Sequence, residues 1–81
     1  MKILVVEDER ELLSSIGEGL EIDGYYVDLI DNGTKALEMA QMEQYDLILL
    51  DLNLPGIDGL DLLRTLREQH SETKVLILSA R

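Results

Sequence analysis

No cysteine occurs among the 81 residues, which excludes a disulfide framework and any thiolate zinc site. No apolar run approaches the roughly 18 residues that mark a membrane helix. Met1-Lys2 leads directly into Ile3-Leu4-Val5-Val6 and then into acids, which is not a signal-peptide pattern, so a cytoplasmic protein is expected. Positive charge is scarce: 7 Lys and Arg stand against 17 Asp and Glu, a net charge of −10. A chain this acidic is repelled by nucleic-acid backbones and anionic lipid surfaces, so this segment is expected to bind neither nucleic acid nor membrane. It contains no Gly/Ser/Pro linker, low-complexity tract or internal repeat. With domains usually running to roughly 100–150 residues, residues 1–81 are one small domain or part of one. The 46% hydrophobic and 30% charged content is that of a folded globular chain.

What is present is an alternation of short apolar runs with helical patterns. Ile3 to Val6 is a strand closed by Glu7-Asp8, and Glu9 to Asp23 follows as a helix, with Leu12, Leu13, Ile16 and Leu20 on one face and Gly24 at the stop. Gly17 and Gly19 weaken its regularity by about 1 kcal/mol each relative to Ala. Tyr25 to Ile30 reads as an edge strand, because Asp28 interrupts it. Asn32-Gly33 is a turn and Thr34 a helix starter. A helix then runs to about Gln44, with Ala36, Leu37 and Ala40 inward. Leu47 to Leu50 is a strand closed by Asp51. Asp58 caps a third helix, Gly59 to about Gln69, with Leu62, Leu63 and Leu66 as its stripe. Val75 to Leu78 is the last strand, followed by Ser79-Ala80-Arg81. Such alternation implies an α/β doubly wound parallel sheet with helices on both faces. The fully apolar strands ending at Val6, Leu50 and Leu78 are expected to be interior.

Open parallel sheets bind ligands beyond the carboxyl ends of their strands. Those ends carry Glu7 and Asp8, Asp51, and Ser79. If the first and third strands are neighbours, three carboxylates converge and need a cation between them. Oxygen-only donors in a small open cluster suit Mg2+ better than Ca2+. Beside such an ion Asp51 can attack phosphorus, Ser79 can hydrogen-bond a phosphate oxygen, and Asn53 sits where its backbone carbonyl can turn to the metal. Singly, each acid reads as a solvated loop carboxylate; their joint placement favours the site. Glu9 and Glu11 read as helix-start acids and His70 as a helix-end cation. Met39 and Met42 are filler or surface, and Tyr25, Tyr26 and Tyr45 packing anchors.

Three stretches together resemble the receiver domain of two-component response regulators: Lys2-Ile-Leu-Val-Val-Glu-Asp-Glu9, Asp46-Leu-Ile-Leu-Leu-Asp-Leu-Asn-Leu-Pro-Gly-Ile-Asp-Gly59, and Val75-Leu-Ile-Leu-Ser-Ala-Arg81. The style is closest to the subgroup with a winged-helix DNA-binding output domain. The resemblance implies a flavodoxin-like fold and a phosphoryl group taken from a histidine kinase onto Asp51. It also implies Glu7, Asp8, Asp51 and the carbonyl of Asn53 around Mg2+, with Asp8 the more direct acid ligand of the Glu7–Asp8 pair. Ser79 matches the switch hydroxyl and Ala80 the small residue beside it; Pro55, Gly56, Asp58 and Gly59 match the loop that shapes the site. The family orders five strands 2-1-3-4-5. This chain supplies 2-1-3-4, so the fifth strand with its lysine and the last two helices have no counterpart. Lys2 and Lys74 fall at strand starts and Lys35 on a helix.

An apolar last strand with nothing to pair beyond it is expected to make the piece self-associate, as a homodimer or strand-exchanged oligomer. Two other readings remain. One is a non-catalytic self-associating fragment. The other is a metal-dependent phosphohydrolase, disfavoured because Asn53 stands where such enzymes place a second carboxylate.

Overall fold

The computed structural model describes residues 1–55, 57–69 and 72–79, the side chain of Ser79 excepted. Gly56, His70, Ala80 and Arg81, which carried expectations above, lie outside the described residues. The elements alternate as β1 (Lys2–Val6), α1 (Arg10–Ile22), β2 (Tyr26–Ile30), α2 (Gly33–Met42), β3 (Leu47–Asp51), α3 (Gly59–Gln69) and β4 (Lys74–Ser79). The strands form one parallel sheet in the order β2-β1-β3-β4. None of the described helices is long and apolar enough to cross a membrane.

Side chains alternate across a strand, so the apolar run of β1 feeds both layers. Ile3 and Val5 join Leu13 and Leu49 beneath α1. Leu4 and Val6 join Ala36, Ala40, Ile48, Leu50, Leu62 and Leu66 beneath α2 and α3. Each fully buried Leu or Ile here stabilises the fold by about 1.5–3 kcal/mol. The inward stripe of α1 is Leu13, Ile16, Gly17 and Leu20, spaced i, i+3, i+4, i+7, with Leu13 and Gly17 buried and the other two partly so. Leu12 falls off that arc and is exposed, contrary to expectation. Gly17 has a packing reason within the helix. It is buried against β2, where a Cβ would come within 2.8 Å of the Leu29 Cδ1. Gly24, at φ +92°, ends the α1 region in a conformation that favours glycine.

The start of α2 is capped by Asn32, whose Oδ1 accepts from the Lys35 N–H at 2.9 Å, and Thr34 is the second residue of the helix. Asp58 caps α3 as expected, accepting from the Leu60 N–H at 2.8 Å. The helix of α2 stops at Met42, two residues early, because Glu43 turns extended. Tyr45 is buried, but Tyr26 is 71% exposed and anchors no core. β2 is an edge strand, as Asp28 suggested, and β1 and β3 are interior. β4 departs from the two-faced burial expected of it. Among the described residues it has a neighbour on one side only, and Leu76 is 57% exposed.

Candidate functional site

β1 and β3 lie side by side in register, with Val6 opposite Leu50. The next residue along each chain is therefore an acid at the same rim of the sheet. Glu7 continues the β1 ladder, its N–H donating to the Ile30 carbonyl at 3.1 Å, and Asp51 ends β3. Glu7 and Asp51 are buried, at 4% and 5% exposure, whereas Asp8 is exposed. One carboxylate oxygen from each of Glu7, Asp8 and Asp51 lies within 4.8 Å of the others.

Backbone N–H groups orient two of the three. The Glu7 Oε2 accepts from the Glu9 N–H at 2.9 Å, at the entrance to α1. The Asp51 Oδ1 accepts from the Asn53 N–H at 3.0 Å. Burial pushes the Glu7 carboxyl above its ordinary range; the Glu9 N–H opposes this, and the Asp51 charge adds to it. Two carboxylates held this close by the fold, one of them disfavoured in its charged form, are an electrostatic cost that a cation removes. The donors are all oxygen and one of the acids faces solvent, which fits a hard divalent ion that keeps waters. Among the described residues this is the one group of three or more such side chains close enough to share an ion.

The expected site residues thus fall as follows. Glu7, Asp8 and Asp51 meet. Asn53 is attached to Asp51 through its backbone, and its residue is exposed. Ser79 pairs with Asp51 in the β3–β4 ladder, after a register shift between Leu50 and Asp51; its side chain lies outside the described residues.

A second polar cluster at the opposite rim went unread in the sequence. The Tyr45 hydroxyl donates to the Asp28 Oδ2 at 2.6 Å, and Glu43 lies 3.2 Å from the same hydroxyl. Lys2 pairs with Glu43 at 2.6 Å and stands 5.4 Å from the Tyr45 ring centre. Burial, then Asp28, raise the Tyr45 phenol far above its ordinary value, which keeps it a donor. The available signal was Asp28 itself, a carboxylate inside an otherwise apolar strand.

Residues 3–81 match the family model of the response regulator receiver domain. The uncharacterized transcriptional regulatory protein YkoG of Bacillus subtilis is 46% identical over 79 residues, covering 98% of this chain and 35% of that protein. The chain thus spans about a third of the length of the curated relatives it matches. The response regulator TrrA of Thermotoga maritima, solved in complex with Mg2+-BeF, is 34% identical with a TM-score of 0.89, over 98% of this chain and 70% of that one. TrrA solved in complex with the histidine kinase ThkA gives 37% and 0.90, over 98% and 68%.

Proposed function

The chain belongs to the response regulator receiver domain family, and from that premise we propose that Asp51 accepts a phosphoryl group from a histidine kinase. Residues 1–81 are read as the N-terminal part of that domain, acting as a signalling switch and not as a turnover enzyme. In the whole protein the switch would control transcription, in keeping with relatives described as transcriptional regulators. The setting is cytoplasmic, and a net charge of −10 leaves nucleic-acid contact to other parts of the protein.

In the transfer, an Asp51 carboxylate oxygen attacks the phosphorus of a phosphohistidine. The new O–P bond forms as the N–P bond breaks, and the electron pair leaves on the imidazole nitrogen, which takes up a proton. The product is an acyl phosphate. Mg2+ is assigned to Asp8, Asp51 and the Asn53 carbonyl, with Glu7 behind them; when bound it screens the charge between carboxylate and phosphoryl oxygens. The Asn53 N–H fixes the rotation of the attacking carboxylate. Ser79, beside Asp51 in the ladder, is assigned the hydroxyl that contacts the transferred group.

The observation that carries this reading is the meeting of Glu7, Asp8 and Asp51 within 4.8 Å at the carboxyl ends of β1 and β3. Support for the partner comes from the kinase complex of the similar TrrA. The test is incubation with a small-molecule phosphodonor and Mg2+, followed by intact mass measurement. One phosphoryl adduct is expected, lost in Asp51→Asn and without Mg2+. An adduct that survives in Asp51→Asn refutes the assignment.

A second reading concerns the isolated 81-residue chain. Among the described residues β4 pairs on one side only, and this with the exposure of Leu76 favours self-association through that strand, as a homodimer or strand-exchanged oligomer. The phosphohydrolase reading has no such support, since Asn53 lacks the carboxyl group its chemistry needs.

A further inference from the structure

Asn53, whose N–H meets Asp51, lies in the connection between β3 and α3, of which the structure describes Leu52 to Pro55, Ile57 and Asp58. Two glycines on two helices lie against it. A Cβ on Gly59 would fall 2.5 Å from the Leu52 Cα, so the start of α3 is seated directly on the loop's first residue. A Cβ on Gly33, the first residue of α2, would fall 2.1 Å from the Ile57 Cγ2. Ile57 is half-buried and packs on the core beneath α2 and α3, with Leu52 and Leu54 beside it. The loop is therefore held near both ends, by backbone contact to α3 and by the Ile57 side chain wedged over the start of α2.

Resting on the reading of Asp51 as phosphoacceptor, we propose that the Gly33–Ile57 contact is a positioning device for it. By fixing the far end of the loop it holds the Asn53 N–H on the Asp51 carboxylate and the Asn53 carbonyl at the ion site. α2 begins just after β2, whose last residue, Ile30, accepts the Glu7 N–H. The same rim thus sets Glu7 through the Ile30 carbonyl and Asp51 through the loop.

Substitution makes the contact diagnostic. Helix propensity favours alanine over glycine, so without the contact Gly33→Ala would be neutral or stabilising. With it, a new methyl starts at 2.1 Å from the Ile57 Cγ2, where carbon contacts need about 3.5 Å. The Cγ2 of a β-branched residue has little rotamer freedom, so Ile57 and its loop must yield. Ile57→Leu removes the Cγ2 branch and keeps the apolar volume, so the double variant tests the contact itself.

The experiment compares wild type, Gly33→Ala, Ile57→Ala, and Gly33→Ala with Ile57→Leu. Each is followed by the Asn53 amide proton shift in 15N-labelled protein, by a Mg2+ titration on the same spectra, and by the rate of phosphoryl incorporation. Gly33→Ala is expected to move the Asn53 amide upfield as its bond to Asp51 lengthens. It should also slow incorporation by on the order of tenfold to a hundredfold, the cost of misplacing a reacting group by about 1 Å. The double variant should return the amide shift to its wild-type position and the rate to within about threefold of wild type. A folded Gly33→Ala with a wild-type Asn53 amide and rate overturns the proposal. If Gly33→Ala does not fold, Ile57→Ala decides: it removes the wedge without adding atoms, and a wild-type amide shift and rate there overturn it equally. If wild type itself takes up no phosphoryl group, the assignment of Asp51 has failed, and the Asn53 amide still decides the contact.

Discussion

Neutralising Asp51 should make the metal-free protein more stable, not less. Asp51 and Glu7 are both buried, and their facing oxygens lie within 4.8 Å. Two like charges at 4.8 Å, the upper limit of that separation, repel by about 3.5 kcal/mol at an effective dielectric constant of 20. Water reaching the cluster past the exposed Asp8 reduces this to about 2–3 kcal/mol. Asp51→Asn removes the charge and keeps an oxygen to accept from the Asn53 N–H, at a loss of about 1 kcal/mol for a neutral acceptor. The net gain is about 1–2 kcal/mol, or roughly 4–16 °C in Tm for a domain of this size. Thermal unfolding followed by circular dichroism at neutral pH in a chelator measures it. Magnesium should then close the gap, because it stabilises wild type by about 2.7 kcal/mol at a hundred times its Kd and the variant much less. pH gives an internal check. The folded Glu7 carboxyl has a raised pKa, so its contribution is full below the ordinary value of 4.5 and is lost as pH rises through the folded value. Wild-type Tm in chelator should therefore contain a term that falls on leaving the acid range. In Asp51→Asn that fall persists with reduced amplitude, because burial, the larger cause, remains. An Asp51→Asn protein no more stable than wild type in chelator would refute the electrostatic account of the cluster.

Tyr45→Phe should cost about 1.5–3 kcal/mol, the worth of a buried hydroxyl bonded to the Asp28 carboxylate, read as a lower urea midpoint. Because the folded phenol titrates far above its unfolded value of about 10, wild type should lose this stabilisation as pH climbs beyond 10, and the variant should lack that alkaline limb. Leu76→Lys places a charge on the exposed face of β4, next to its unpaired edge, and should shift the sedimentation profile of the 81-residue chain toward monomer; an unchanged profile would remove β4 as the contact.

The parts of this molecule visible in its sequence are those governed by neighbours close along the chain. Apolar runs closed by an acid marked the ends of β1 and β3, and parallel pairing alone then set Glu7 beside Asp51. The α3 cap was legible because Asp58 bonds a group two residues away. What stayed hidden depends on partners far along the chain. Asp28 and Tyr45 are 17 residues apart and on different elements, so Asp28 read only as an interruption of β2. The burial of Gly17 follows from Leu29 on another element. Leu76 lies on the opposite face of β4 from the half-buried Val75 and Ile77, and its exposure depends on what covers that face, which no property of Val75 to Leu78 encodes.

The two polar clusters sit at opposite ends of the same strands and act in opposite senses. Tyr45, two residues before β3, reaches across β1 to Asp28 in the middle of β2, and Lys2 and Glu43 add the start of β1 and the end of α2. The Lys2–Glu43 pair is partly exposed and contributes little by itself. The part-buried phenol–carboxylate bond carries the stabilisation, since an unpaired Asp28 or Tyr45 there would leave a polar group without its partner. At the strand ends, Glu7 and Asp51 are held together against their charge. Such a carboxylate pair keeps its geometry without an ion only if the strands beneath it cannot slide, and the Tyr45–Asp28 bond opposes that sliding. Loosening the strand starts should therefore weaken cation binding at the far rim without touching a ligand. The Mg2+ affinity of Tyr45→Phe is the quantity to measure alongside its stability, and an affinity equal to wild type in a destabilised variant would show the two ends to be independent.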